Sequence, residues 1–129
     1  MPYIHYNPNP AGYDTIDCTI RAISKLMDMD WETTYMKLAI QGFADKSMMV
    51  DDRVWGNYLR SNGFRVMALP NTCPFCYTVR DFANDHPKGR YLLKTYSHVI
   101  AVVDGDYYDS GDSGDEVPIY YFERSADHA

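Results

Sequence analysis

Ser97-His98-Val99-Ile100-Ala101-Val102-Val103-Asp104-Gly105-Asp106-Tyr107-Tyr108-Asp109 reads as a strand, a tight turn and a second strand. Residues 98–103 form an apolar, β-branched run behind a leading histidine, which suits a pleated and buried segment. Asp104-Gly105 is a dipeptide favoured where a hairpin turns through two residues. Pairing around that turn brings the far end of the second strand back beside the start of the first, so Asp109 is expected next to His98. Apolar stretches at 91–96 and 119–122, with the glycine-rich spacer 111–114, extend the pattern into an antiparallel meander over the C-terminal half.

Upstream the period changes from two to between three and four. Ile16, Ile20, Ile23 and Met27 recur at helical spacing behind Asp14, Thr15 and Asp17, each a candidate N-cap, which puts Cys18 in the first turn of a helix. Asp30 starts a second helix through Trp31, Tyr35, Leu38 and Ala39, and Gly42 is expected to stop it. A third opens at Asp51 or Asp52, runs through Val54, Tyr58 and Leu59, and ends at Gly63. Phe64, Val66 and Ala68 then suit a short strand, and Thr78 to Asp81 a capping box before one helical segment that His86-Pro87 terminates. Residues 1–13, with Pro2, Pro8, Pro10 and Gly12, should run extended or turning over the surface, and residues 125–129 should fray. The expectation is one α+β domain over residues 1–129, with N-terminal helices packed on a C-terminal antiparallel sheet.

Bulk composition narrows the function. The 46% hydrophobic content is too high for a disordered chain, and 129 residues suffice for one core but not two. A net charge of −6 repels phosphate backbones and anionic lipid headgroups, so neither nucleic acid nor membrane is an expected partner. No apolar run approaches the length of a membrane span, and the N-terminus lacks a leader pattern. Cys18, Cys73 and Cys76 are too few for a disulfide scaffold, which points to a reducing, cytoplasmic compartment. Nothing in the pattern indicates an oligomeric state.

The chemistry-bearing set is Cys18, His98 and Asp109. A free thiol is mostly protonated at neutral pH, and a helix N-terminus favours its thiolate while leaving N–H groups free for an oxyanion. A histidine facing that sulfur can take its proton and return it to a leaving group, and a carboxylate on the ring's other nitrogen orients it. Asp109 suits that role better than Asp112 because of the hairpin pairing. No cofactor is required.

The order of elements, with "DCTIRAIS" (17–24) as nucleophile helix and "SHVIAVVDGDYYDSGDSG" (97–114) as histidine strand and acidic strand, resembles the papain-like cysteine peptidase superfamily. It is similar to compact bacteriocin-processing peptidases and to small papain-like proteins of bacteria and their phages, over roughly residues 14–122. The resemblance implies a minimal papain-like fold, a peptide or protein substrate, Cys18 as nucleophile, His98 as base and acid, and Asp109 as orienter. Members usually carry a glutamine shortly before the nucleophile to complete the oxyanion hole. Here the only glutamine is Gln41, downstream, and Asn9 and Asn7 are the amides that could substitute. That gap favours a second reading, a catalytically silent papain-like fold that binds a protein; a Cys-His amidase or acyltransferase is a close variant of the hydrolase, since the same acyl-enzyme can pass to water or to an amine.

Other motifs compete. Cys73-Pro74-Phe75-Cys76 has metal-chelating spacing with His86 as a possible third ligand, but a structural zinc needs four. The expectation there is a turn with two half-buried thiols and no metal. Gly111-Asp112-Ser113-Gly114 matches a serine-peptidase tetrapeptide without the long chain such enzymes need, and 104–116 lacks calcium-loop spacing.

Overall fold

The computed structural model describes residues 2–124. Its elements run β1 (Tyr3–His5), α1 (Cys18–Met27), α2 (Trp31–Asp45), α3 (Asp52–Ser61), β2 (Phe64–Ala68), α4 (Val79–Asp85), β3 (Arg90–Lys94), β4 (Val99–Val103), β5 (Asp106–Asp109) and β6 (Tyr120–Arg124). The architecture is α+β, with helices packed on a six-stranded sheet of order β1-β5-β4-β3-β6-β2. The hairpin of β4 and β5 is antiparallel as expected, with Ala101 opposite Tyr108. Asp104 at φ 50° and Gly105 at φ 85° give the paired positive dihedrals that a two-residue hairpin turn requires.

The sheet corrects the expectation of purely antiparallel pairing. β1 lies parallel to β5, with Tyr3 opposite Tyr107 and His5 opposite Asp109, so part of the N-terminal segment becomes an edge strand. Three residues between prolines carry too little periodicity to show this in the sequence. α2 also differs: it continues past Gly42 to Asp45 and ends at Lys46, which takes the left-handed conformation. Gly42 is buried for another reason, since a Cβ there would sit 2.7 Å from the Ser47 carbonyl oxygen. The expected caps are present at Asp30, Asp51 and Thr78, the last in a reciprocal capping box with Asp81. The expected fray at 125–129 lies outside the described residues.

Strand β4 is buried along its whole length, and its alternation splits the core in two. Val99, Ala101 and Val103 face one cluster with Ile20, Ile23 and Leu26 of α1, Leu38 of α2 and Trp55 and Leu59 of α3. Ile100 and Val102 face the other, with Val79, Phe82 and Ala83 of α4. Truncating a fully buried leucine or isoleucine such as Leu26 or Ile23 costs about 2–5 kcal/mol. The helix that carries Cys18 is thereby held firmly against the strand that follows His98. Among the described residues no helix is long and apolar enough to cross a membrane.

Candidate active site

Cys18 is the first residue of α1, half-buried, with a free thiol. The N–H groups of Cys18, Thr19 and Ile20 have no backbone acceptor among the described residues, as the opening turn of a helix dictates. His98 immediately precedes β4, and its carbonyl accepts from the Thr95 N–H at 2.9 Å, which clamps the short connection from β3. Thiol and imidazole line one cavity of about 230 Å3 with Ile16, Thr19, Trp55 and Ser97.

Asp109 ends β5 and is 3% exposed. Its Oδ2 lies 2.7 Å from His98 Nε2 and accepts from Ser113 Oγ at 2.7 Å. Its Oδ1 accepts from Arg21 Nε at 3.1 Å and from the Ser110 N–H at 2.8 Å. Both carboxylate oxygens are thus fully occupied by donors, the condition under which a buried carboxylate stays charged. Burial pushes the carboxyl upward, but His98, Ser113 and Ser110 outweigh it and hold Asp109 below the usual range.

The same competition sets the other two groups. Burial disfavours a charged His98 ring, yet its bond to Asp109, its interaction with Cys18 and their negative charges push the ring up to about 10. For Cys18, burial raises the thiol; hydrogen bonding to His98 and to the Val99 N–H, with the charges of His98 and Arg21, outweighs that and leaves it below its ordinary value. The two shifts are coupled, and both favour a thiolate beside an imidazolium. With Nε2 committed to Asp109, the Nδ1 side of the ring is left for the sulfur. Such a pair can attack a carbonyl carbon and protonate a leaving group.

The three residues singled out from the sequence are therefore brought together. Asn7 and Asn9 are not brought to Cys18, and the expectation that they complete an oxyanion hole is corrected. Asn7 Nδ2 donates to the Tyr13 carbonyl, Asn9 Oδ1 accepts from the Ala11 N–H, and neither residue lines the cavity. Asn7 Nδ2 and Asn9 Oδ1 instead hold the turn of the proline-rich segment. The first-turn N–H groups of α1 are available to an oxyanion.

Cys73 and Cys76 are corrected too. They form a disulfide with each other in an exposed loop rather than two free half-buried thiols. His86, the possible third ligand, stacks on Phe82 with ring centroids 3.7 Å apart, its Nδ1 2.7 Å from the Phe82 carbonyl oxygen. Among the described residues no group of three or more His, Cys, Asp or Glu is arranged to hold a metal ion.

Sequence reasoning missed Arg21. This guanidinium is 4% exposed and pairs with Asp17 at 2.9 Å and Asp109 at 3.1 Å. Asp17 also accepts from Trp31 Nε1 at 2.9 Å. The carboxylate adjoining Cys18 in sequence is therefore matched by a cation and does not simply oppose the thiolate. The available signal was the four-residue spacing of Asp17 and Arg21, which places them on one helix face. Compared with known proteins, the chain matches no family model, no curated protein and no solved structure.

Proposed function

We propose that this chain is a thiol hydrolase that cleaves a peptide or isopeptide bond through a Cys18 thioester, in a papain-like arrangement. The observation that carries the reading is that His98, held at 2.7 Å by the buried Asp109 carboxylate, lines the same cavity as the helix-start thiol of Cys18. The thiolate adds to the carbonyl carbon, and the oxyanion is met by first-turn N–H groups of α1. Collapse expels the amine, which takes its proton from His98. Water then adds to the thioester as His98 accepts its proton, and the departing sulfur regenerates the thiolate. Asp109 holds the ring throughout and balances its charge. The same acyl-enzyme can pass to an amine, so amidase and acyltransferase are variants of this chemistry. The substrate in this reading is a peptide or protein.

A second reading is a catalytically silent papain-like fold that binds a protein. It is favoured by the absence of Asn7 and Asn9 from the lining of the cavity that holds Cys18. Brief treatment with iodoacetamide followed by mass spectrometry separates the two. Rapid labelling of Cys18 that is lost in His98→Ala supports the hydrolase; slow labelling unaffected by His98→Ala supports the silent fold. A cytoplasmic site of action is part of the proposal. The Cys73–Cys76 disulfide counts against it, and trapping the thiols by alkylation at the moment of cell lysis tests it: a reduced pair supports the cytoplasm, an oxidised pair opposes it.

A further inference from the structure

Arg21 stands one turn after Cys18 on α1 and is almost completely enclosed. Removing a guanidinium from water is costly, and a well-packed apolar side chain in its place is commonly neutral or stabilising. Its partners join three parts of the fold. Nη1 reaches Asp17 at the start of α1, Nε reaches Asp109 at the end of β5, and Asp17 is itself pinned by Trp31 Nε1 from α2. Anchored at both ends, the planar guanidinium cannot swing, and the carboxylate oxygen it holds is Oδ1. That leaves Oδ2 turned toward His98.

We propose that Arg21 is a positioning residue for the thiol site, locking the Asp109 carboxylate to the nucleophile helix so that His98 and Cys18 keep one mutual geometry. The proposal rests on the hydrolase reading above. It goes beyond that reading by assigning the site a fourth, charged member and a balancing anion, Asp17. Arg21 acts through its neighbours and through its charge, without touching substrate. The guanidinium charge also lowers the Cys18 thiol, while Asp17 neutralises part of that charge. Asp52 and Lys94, the other ionisable groups lining the cavity, are left intact in the variants below.

The test is the rate of Cys18 alkylation by iodoacetamide as a function of pH, measured well below each variant's unfolding temperature, with circular dichroism as a check on folding. Arg21→Met is expected to move the midpoint upward by about half a pH unit or more and to slow the rate at neutral pH. Asp17→Asn, which keeps an acceptor for Trp31 and leaves Arg21 in place, is expected to move the midpoint downward. Arg21→Lys restores the charge without the fork and is expected to recover the midpoint but not the full rate. Opposite shifts from Arg21→Met and Asp17→Asn show that both charges act on the thiol, and the rate lost in Arg21→Lys at an unchanged midpoint is the part that positioning supplies. Should Arg21→Met fail to fold, Arg21→Lys carries the test: a wild-type midpoint with a slower rate supports the positioning role, and a full wild-type rate overturns it. Unchanged profiles in the folded variants, with only their unfolding temperatures lowered, overturn the positioning role while leaving the hydrolase reading intact. Wild-type Cys18 alkylation that is slow and independent of His98 sinks the hydrolase reading itself.

Discussion

His98 and His86 are both half-buried, one just before β4 and the other just after α4. Around His98 stand a buried carboxylate, a free thiol and a buried arginine one bond further out. Around His86 stand Phe82, Tyr91 and Tyr121, with a backbone carbonyl as its close polar partner. Cys73 and Cys76, which precede it in the sequence, are bonded to each other. In sequence the second corner carries the more conspicuous pattern, a CxxC followed by a histidine. What separates the two corners is the partners the fold supplies: charged groups shift a ring's protonation and prepare it for proton transfer, whereas stacking and one carbonyl fix its orientation.

The sharpest way to break that contrast is kinetic. His98→Ala is expected to lower the neutral-pH alkylation or acyl-transfer rate of Cys18 by about a hundred- to ten-thousand-fold. His86→Ala, measured in the same assay, is expected to stay within about threefold of wild type, because its ring meets neither the cavity nor the thiol. A comparable loss in both variants would erase the distinction.

Stability comes next. Asp109→Ala removes the acceptor for Arg21, His98 and Ser113 at once and leaves a guanidinium enclosed with one partner gone. A loss of about 3–5 kcal/mol in denaturant unfolding is expected. His86→Ala gives up stacking on Phe82 and is expected to lose about 1 kcal/mol.

The pH dependence of stability follows from the shifted groups. His98 is raised in the folded state, so its contribution is complete below about pH 6.5 and is lost as the pH climbs through about 10. Asp109 is lowered, so its contribution is present above about pH 3.9 and is lost as the pH falls through its depressed value. Activity should show the matching bell: an acid limb from the lowered Cys18 and an alkaline limb near 10 from His98. Unfolding curves across this range in wild type and His98→Ala check the alkaline side, where the variant should lose the dependence.

The smallest effect is expected at the proline-rich turn. Asn9→Ala removes one turn hydrogen bond, from the Ala11 N–H, and should cost about 1 kcal/mol with the rate of acyl transfer to Cys18 from an activated ester unchanged. A large drop in rate with little change in stability would restore the asparagine to the oxyanion site.

Much of this arrangement was legible from local pattern. The hairpin from His98 to Asp109 could be read because strand, turn and strand are contiguous, so one dipeptide sets which residues meet across it. Cys18 at a helix start could be read from the apolar spacing that follows it. Three features could not. β1 has only three residues, and its parallel pairing with β5 joins segments about a hundred residues apart, with no local signature. Arg21 on a helix looks like a solvated charge until Asp17 and Asp109 are known to close around it. The Cys73–Cys76 disulfide depends on the loop's conformation rather than on spacing alone.

The most direct measurement is an NMR titration of the His98 ring in wild type, Cys18→Ala and His86→Ala. The wild-type ring is expected to stay protonated through neutral pH and to lose its proton near 10, with a clearly lower midpoint in Cys18→Ala and no change in His86→Ala. A wild-type midpoint near the ordinary histidine value of about 6.5, unmoved by loss of the thiol, would contradict a thiolate and imidazolium pair at this site.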